Sequence, residues 1–318
     1  MILIRGLHNL RAGHRGCVAT IGNFDGVHLG HQSVLDALTA RARSAGLPSV
    51  VIIFEPQPLE FFRPEQAPAR LTRLREKLEA IACSRIDRVL LIRFNARFAA
   101  IEAETFVQEV LVQRLGIEHL YVGDDFRFGK GRVGDFALLR SMGEQHGFGV
   151  ESLNTVADAG LRVSSTRIRQ ALQEGDLAHA ERCLGRRYRI CGRVAHGHKR
   201  GRTIGFPTMN VALLRRSTPL RGVFAVQVLG LADGPLPGVA NIGNRPTLNG
   251  DNRFLLEVHL FDFADEVYGR HVEVDFVERI RDEHRFESFD ALREQIGRDV
   301  VRARAILGLD AAEQSGAA

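Results

Sequence analysis

The sequence lacks several features that would assign it to a specialised class of protein. It contains no tryptophan, and only three of its 43 cationic residues are lysines: Lys77, Lys130 and Lys199. Its four cysteines are scattered without a C-x-x-C pair, which argues against a structural zinc site and for a reducing compartment. No apolar run approaches the ~18 residues of a membrane-spanning helix, and no signal-peptide pattern is present. We therefore expect a soluble, cytoplasmic protein without a membrane partner.

Several common nucleotide-binding motifs are also missing. The chain has no G-x-x-x-x-G-K-[ST] loop and none of the protein-kinase signatures. Its net charge of +5 suits anionic small ligands as well as nucleic acids, but RNA-binding aromatic motifs are absent. We expect no nucleic-acid partner, and a basic nucleic-acid-binding protein is the alternative from another class.

The sequence does have the length and apolar content for two domains, with 318 residues of which 45% are hydrophobic. In the first half, apolar strand patterns alternate with helical patterns, which predicts a parallel sheet covered on both faces. We expect a Rossmann-like, doubly wound α/β domain over residues 1–185. The predicted strands cover residues 17–21, 49–54, 88–94, 118–122 and 149–153.

The second half changes character near residue 185. Short alternating segments punctuated by glycine and proline predict an antiparallel barrel or sandwich over residues 186–309. The predicted strands there cover residues 189–194, 223–229, 236–242, 254–261 and 272–276. A helix is predicted from Phe289 to Leu307, and residues 310–318 read as a frayed tail.

The most informative stretch is Gly22–His31, which follows a predicted strand and precedes a predicted helix. Glycines in such a turn and backbone N–H groups at the helix start favour phosphate binding. His28 and His31 lie three residues apart, so both imidazoles can face one ligand. The alternatives are ordinary capping or surface histidines and a zinc pair. The candidate nucleotide-binding residues of this stretch are Gly22, Phe24, Gly26, His28 and His31.

A second stretch, Val163–Arg169, suggests a partner for the first. Ser165 and Arg169 lie four apart on one helix face, and together with Thr166 they offer hydroxyls and a guanidinium to a polyphosphate. The simpler interpretation is a helix capped by serine and threonine.

The second half has its own glycine-rich basic segment, between residues 192 and 205. It suggests a loop close to phosphates, with a basic hairpin as the alternative. The candidate phosphate-binding residues are Gly192, His196, Gly197, Gly201, Arg202, Gly205 and Thr208.

Polar residues further along suggest a metal site and a base. Thr208 and Asn210 lie two apart in an extended segment and offer neutral oxygens suited to Mg²⁺. Glu257 and His259 share one face of a predicted strand, where Glu257 could act as a general base. A solvent-exposed strand face is the alternative for both pairs.

The motifs together resemble a known family. G-N-F-D-G-V-H-L-G-H, S-S-T-x-I-R, G-F-P-T-x-N and Leu256-Glu257-Val258-His259 are similar to those of the prokaryotic bifunctional riboflavin kinase/FMN adenylyltransferases, or FAD synthetases. The resemblance covers nearly the whole chain to about Leu309. It implies a kinase module that is a small Greek-key β-barrel. Other nucleotidylyltransferases share H-x-G-H, but a tRNA synthetase would need a K-M-S-K-S loop that this chain lacks.

The resemblance also implies substrates and residue roles. ATP and Mg²⁺ would serve at both steps, with riboflavin phosphorylated to FMN and FMN adenylylated to FAD plus pyrophosphate. In the first half, His28 and His31 would contact the ATP phosphates from one side and Ser165, Thr166 and Arg169 from the other, with Asp125 in the nucleotide–flavin site. In the second half, Thr208 and Asn210 would hold Mg²⁺ and phosphates, Glu257 would activate the riboflavin 5′-hydroxyl, and Phe286 would help cover the flavin. The oligomeric state is not predicted.

Overall fold

The computed structural model describes residues 1–152, 156–195, 205–213, 215, 217–246 and 252–309. The chain divides into two compact units. The first comprises Met1–Pro68 and Leu74–Val163, and the second comprises Ala69–Arg73 and the chain from Ser164 onward. The boundary predicted at residue 185 therefore stays a prediction, since the two helices before it group with the second unit.

A six-stranded parallel sheet forms the centre of the first unit, in the order β1-β4-β3-β2-β5-β6. Its strands are β1 (Ile2–Arg5), β2 (Cys17–Ile21), β3 (Ser49–Glu55), β4 (Arg88–Arg93), β5 (Ile117–Val122) and β6 (Gly149–Ser152). A two-stranded ladder of β7 (Ala157–Asp158) and β8 (Leu161–Arg162) follows. The predicted α/β fold is confirmed, and β1 is a strand that the sequence analysis did not predict.

Helices cover both faces of this sheet. They are α1 (Leu29–Ala45), α2 (Pro58–Phe62), α3 (Leu74–Cys83), α4 (Ala96–Ala99), α5 (Ala103–Thr105), which continues as a π-helix over Phe106–Leu115, and α6 (Phe136–His146). One apolar cluster packs α1 and α3 on one face, and a second packs the π-helix and α6 on the other. Continuous apolar strands such as Val50–Ile53 are buried on both sides, as a doubly covered parallel sheet requires.

The second unit begins with two helices, α7 (Ser165–Glu174) and α8 (Leu177–Leu184), and continues into a closed six-stranded antiparallel barrel. The strands are β9 (Arg189–Ala195), β10 (Met209–Ala212), β11 (Gly222–Leu229), β12 (Leu236–Pro246), β13 (Asn252–Leu260) and β14 (His271–Arg281). Their order is β10-β13-β12-β11-β14-β9, in which the connection from β10 to β11 skips two strands. This is the expected Greek-key barrel.

Alternation along the barrel strands separates an inner face from an outer face. Phe224, Leu256 and Val258 are completely buried and alternate with residues such as Glu257, which point to the other side. The last helix, α9 (Phe289–Ile306), packs its Ala303 against the outer-facing Val223 in one apolar cluster. The strand pattern therefore leaves polar side chains on the outer face, beside the helix.

Candidate active sites

The Gly22–His31 segment lies where the sequence analysis expected it, between the carboxyl end of β2 and the start of α1. His28 is the N-cap residue of α1, and its Nδ1 accepts a hydrogen bond of 3.3 Å from the backbone N–H of His31. The two imidazole rings stack with centroids 3.7 Å apart, and Phe24 packs 4.9 Å from the ring of His31. The two imidazoles therefore lie side by side at the N-terminus of α1.

The backbone of this turn adopts conformations that few side chains tolerate. Phe24 and Val27 have φ values of 48° and 43°, and Gly26 has a φ of 84°. A positive φ is unusual for a β-branched residue, so the turn is strained. Gly30 also serves the site, because a Cβ there would lie 3.2 Å from the ring of His28.

The electrostatic environment of His31 disfavours its protonation. Burial, together with the neighbouring His28 and Lys77, lowers the pKa of His31 well below its ordinary value. Lys77 projects from α3 and is completely buried, an unusual environment for a lysine. The sequence analysis assigned no role to Lys77, since a helical position does not reveal that a lysine is buried. Lys77 therefore adds a buried cation near a neutral imidazole, a combination that suits an anionic ligand.

Two buried hydrogen-bonding atoms near this sheet edge have no hydrogen-bond partner among the described residues: Nδ1 of His31 and Nε2 of Gln57. Gln57 follows β3, the strand beside β2, so both residues come after the carboxyl ends of adjacent parallel strands. Buried polar atoms normally find partners, and an unsatisfied one often marks a ligand or water site. These atoms are available to a ligand bound at the edge where α/β folds bind ligands.

Aromatic side chains and Asp125 lie at the same edge. Phe61 and Phe62 of α2 and Phe94 after β4 form mutual edge contacts with centroids 5.2 to 5.6 Å apart. Phe62 is 58% exposed, so the cluster offers an apolar surface to solvent. Asp125 follows β5 and is exposed, with its Oδ1 3.6 Å from Arg162. The sequence analysis missed this phenylalanine cluster because Phe94 lies far along the chain from Phe61 and Phe62.

The predicted phosphate-binding helix α7 belongs to the second unit. Ser164 caps it, with its Oγ accepting a hydrogen bond of 3.3 Å from the N–H of Arg167. Ser165 and Thr166 form the first turn of the helix, as expected. Arg169 donates from Nε to the carbonyl oxygen of Ala69 at 2.6 Å. The contact of these residues with phosphates stays a prediction.

A cavity of about 460 Å³ opens on the outer face of the barrel, beneath α9 and the segment before it. Its polar wall includes Thr208, Glu257 and His259, and Phe286 lies on the same cavity. The predicted base, the predicted metal-binding threonine and the predicted flavin-covering phenylalanine therefore share one space. The apolar part of the wall consists of Phe206, Val223, Val239, Leu255, Phe289, Leu292 and Ile296.

Strand register explains why these polar groups meet. Asn210 of β10 pairs with Glu257 of β13, which in turn pairs with Asn241 of β12. Paired residues project from the same face, so the three side chains form one polar row across three strands. Asn210 itself is buried, and Thr208 is exposed at the entry to β10. His259 supports that entry, since its Nδ1 donates to the carbonyl oxygen of Pro207 at 2.8 Å.

The predicted glycine-rich loop is only partly described. Gly192 lies within β9, where a Cβ would approach the carbonyl oxygen of Ala212 to 2.9 Å, so close strand packing already requires glycine. Gly205 has a φ of 85° and is exposed before β10. Their contact with phosphates stays a prediction. The other predicted members, His196, Gly197, Gly201 and Arg202, lie outside the described residues.

One ion pair in the cavity wall was not anticipated. Arg281, at the end of β14, donates to both carboxylate oxygens of Asp299 on α9, at 2.9 Å from Nε and 2.8 Å from Nη2. Asp299 is 3% exposed and also accepts from Gln295 at 2.9 Å. The Arg281 guanidinium lies 5.6 Å from the ring centroid of Phe286. This pair ties the last strand to the last helix and holds Phe286 beside the cavity.

Comparisons with known proteins agree with this arrangement. The family model described as FAD synthetase matches residues 10–167, and the one described as riboflavin kinase matches residues 184–307. The chain is 54% identical over 310 residues to the bifunctional riboflavin kinase/FMN adenylyltransferase of Escherichia coli K12, covering 97% of this chain and 99% of the relative. The Pseudomonas fluorescens enzyme of the same description is 54% identical over 306 residues, covering 96% and 98%.

A crystal structure from Streptococcus pneumoniae, described as a macrolide-efflux protein, has the same fold over most of its length. It superposes with a TM-score of 0.79 at 30% identity, covering 94% of this chain and 97% of that one. Within the described residues, no helix combines the length and apolar character needed to cross a membrane.

The fold and its two sites define a two-part transferase, with a nucleotide-binding α/β unit followed by a barrel with a polar cavity. The family models and the relatives specify which one. The chain belongs to the bifunctional riboflavin kinase/FMN adenylyltransferase family.

Proposed function

We propose that the barrel phosphorylates riboflavin to FMN and that the α/β unit then adenylylates FMN to FAD, with ATP as co-substrate in both reactions. The observation that carries this proposal is the single cavity that Thr208, Glu257 and Phe286 share on the barrel. A carboxylate, a hydroxyl near a predicted phosphate loop and an aromatic ring are the groups that phosphorylation of a flavin alcohol requires. The independent anion site at the start of α1 fits the second step.

In the kinase reaction, the riboflavin 5′-hydroxyl attacks the γ-phosphorus of ATP and loses its proton, and ADP leaves. Glu257 would accept that proton, a role supported by its position in the cavity wall, in the middle of the polar row. Phosphoryl transfer otherwise depends on positioning and charge neutralisation. Here β13 fixes the position of Glu257, and the apolar wall would hold the flavin ring.

Mg²⁺ is the metal we propose for the kinase site. The hydroxyl of Thr208 and the amide oxygen of Asn210 are neutral, hard ligands suited to a cation that arrives with ATP and keeps several waters. When bound, the ion would neutralise charge on the phosphates.

In the adenylyl transfer, the FMN phosphate attacks the α-phosphorus of ATP and pyrophosphate leaves. The FMN phosphate is already ionised near neutral pH, so the reaction needs no strong base. His28, His31 and the positive end of the α1 dipole would stabilise the charge that builds on the α-phosphate, and the buried cation Lys77 would add to this field. Ser165, Thr166 and Arg169 are the proposed second set of phosphate ligands.

The second step also requires a place for the flavin ring of FMN. The exposed rings of Phe61 and Phe62, together with the half-buried Phe94, offer an apolar surface at the edge where the nucleotide site is proposed. We propose that the isoalloxazine ring packs against this cluster. Asp125, after β5, would then lie at the same edge, near the flavin and the nucleotide.

The proposal is tested by incubating the pure protein with riboflavin, ATP and Mg²⁺ and separating the flavins by chromatography. We expect FMN to appear first and FAD to follow, and supplied FMN to be converted to FAD without riboflavin. A protein that forms neither product would contradict the proposal. If FAD forms from riboflavin but supplied FMN is not converted to FAD, the proposed order of steps is wrong.

A further inference from the structure

Glu283 is a second carboxylate in the barrel cavity, with no role in the mechanism above. It follows β14 by two residues and lines the cavity together with Glu257. Its Oε1 rests against the backbone of β12 at Gly243, where a Cβ would collide with the carboxylate. Only a glycine at position 243 therefore leaves room for the Glu283 carboxylate at this place.

The Glu283 carboxylate is joined to the catalytic row through one residue. It is hydrogen-bonded to the side chain of Asn241, and Asn241 is the cross-strand partner of Glu257. Paired residues on neighbouring antiparallel strands have Cβ atoms about 5 Å apart. Asn241 thus connects Glu283 to the proposed base, Glu257, in the cavity wall.

The charges around Glu283 leave its carboxylate available to a ligand. Burial and the nearby Glu257 raise its pKa, and Arg221, Asn241 and Arg281 act against this without reversing it. The guanidinium of Arg281 is already bound to Asp299. None of the ion pairs found within the described parts of the chain includes Glu283. Its oxygens therefore retain lone pairs that the described residues leave to a ligand.

The chemistry of the two carboxylates limits the ligand that this part of the wall can take. A polyphosphate would be repelled by two carboxylates, whereas hydroxyl groups can donate to both. Riboflavin carries such a polyol, the ribityl chain, between its ring and the 5′-hydroxyl. If the 5′-hydroxyl lies at Glu257 and the ring lies against Phe286 and the apolar wall, the secondary hydroxyls lie between them.

On the basis of the kinase function proposed above, we propose that Glu283 accepts hydrogen bonds from secondary hydroxyls of the ribityl chain, with Asn241 and Gly243 fixing its carboxylate. Glu283 is then a specificity residue, which selects flavins with a polyol chain and aligns the 5′-hydroxyl with Glu257. Glu283 would contact the ribityl chain and not the isoalloxazine ring. A flavin that has the ring but lacks the ribityl chain can therefore test this role.

The test compares binding of riboflavin with binding of lumiflavin, which has the same ring and a methyl group in place of the ribityl chain. Flavin fluorescence titrations of the full-length protein with ADP and Mg²⁺ give both dissociation constants. Loss of a hydrogen bond to a charged acceptor predicts that Glu283→Gln weakens riboflavin binding about tenfold. Lumiflavin binding should change less than twofold. Glu283→Asp, which withdraws the carboxylate by one methylene, should fall between Glu283→Gln and the wild type for riboflavin.

Glu278→Gln is the matched control, since Glu278 lies on β14, the strand that Glu283 follows, and pairs with Arg302 at 3.8 Å, both side chains more than half exposed. It should leave both dissociation constants unchanged. Equal weakening of riboflavin and lumiflavin by Glu283→Gln, or no weakening of either, would overturn the inference. So would a changed Mg²⁺ requirement with an unchanged riboflavin-to-lumiflavin ratio, because Glu283 would then act on the metal. A wild-type protein that fails to phosphorylate riboflavin would instead refute the kinase function.

Discussion

The two sites are assembled in different ways. The site of the α/β unit consists largely of sequence neighbours, since Phe24, Gly26, His28 and His31 belong to one turn and the first turn of α1. The site of the barrel is assembled by register, which brings Asn210, Glu257 and Asn241 together from three strands. A local motif therefore locates the first site, whereas the second depends on the topology of the whole barrel.

The proposed chemistry of the two sites also differs. In the proposed reactions, the first site offers hydrogen-bond donors to a nucleophile that is already ionised, so no residue there needs to accept a proton. The second site would have to activate a neutral alcohol, and Glu257 is the carboxylate proposed for that purpose. The predictions below separate a site whose activity depends on donors from one whose activity depends on a base.

The largest effect is expected from removing the base of the barrel site. Glu257→Gln keeps the size and hydrogen-bonding shape of the side chain but cannot accept the proton. We expect riboflavin phosphorylation to fall about 10³-fold, with adenylylation of supplied FMN unchanged. Separate initial-rate assays with riboflavin and with FMN measure the two steps. Equal loss in both assays from a folded variant would mean that the two sites are not independent, and Glu278→Gln serves as the control.

A smaller effect is expected from removing a donor of the first site. His31→Ala should lower the rate of adenylylation about 10²-fold, because one of several groups that stabilise the α-phosphate is lost. With riboflavin and ATP supplied, FMN should therefore accumulate without FAD. His8→Ala, an exposed histidine of the same unit, is the control and should leave both rates unchanged. Unimpaired FAD formation by His31→Ala would exclude His31 from the phosphate site.

The same difference between local motifs and strand register explains which parts of the fold and of the sites could be predicted from the sequence. Most of the strands, α1 and α9 were predictable because apolar patterns and capping residues are local signals, and the stretch around His28 carried its own glycines. The burial of Lys77 and the orphaned Nε2 of Gln57 were not, since they depend on how α3 and α2 pack. The row that joins Asn241 to Glu257 required the register of two strands, which alternation alone does not specify.

Aromatic contacts should distinguish the two flavin positions with an effect of about tenfold. Phe286→Ala removes a ring from the barrel cavity and should weaken riboflavin binding, leaving the KM for FMN in adenylylation unchanged. Phe62→Ala should do the reverse, because its exposed ring belongs to the cluster in the first unit. Riboflavin titration and the KM for FMN are the two measurements. If either variant alters both values equally, one flavin site serves both reactions.

The smallest expected effect concerns stability and pH, and it follows from the depressed pKa of His31. In the folded protein His31 stays neutral below pH 6.5, whereas in the unfolded chain an ordinary histidine becomes protonated there. The unfolded state then binds more protons, so the contribution of His31 to stability is complete above about pH 6.5 and is lost as the pH falls.

Urea unfolding of the wild type and of His31→Gln between pH 7.5 and 5.5 measures this contribution. The difference in unfolding free energy between the two proteins should change by about 1 kcal/mol per pH unit below pH 6.5, with the wild type losing more stability. Titrating groups that do not interact with His31 are common to both proteins and cancel in the difference. His8→Gln should show no such trend. A difference that stays constant across this range would mean that His31 titrates normally, and the donor site would then carry an additional positive charge at mildly acidic pH.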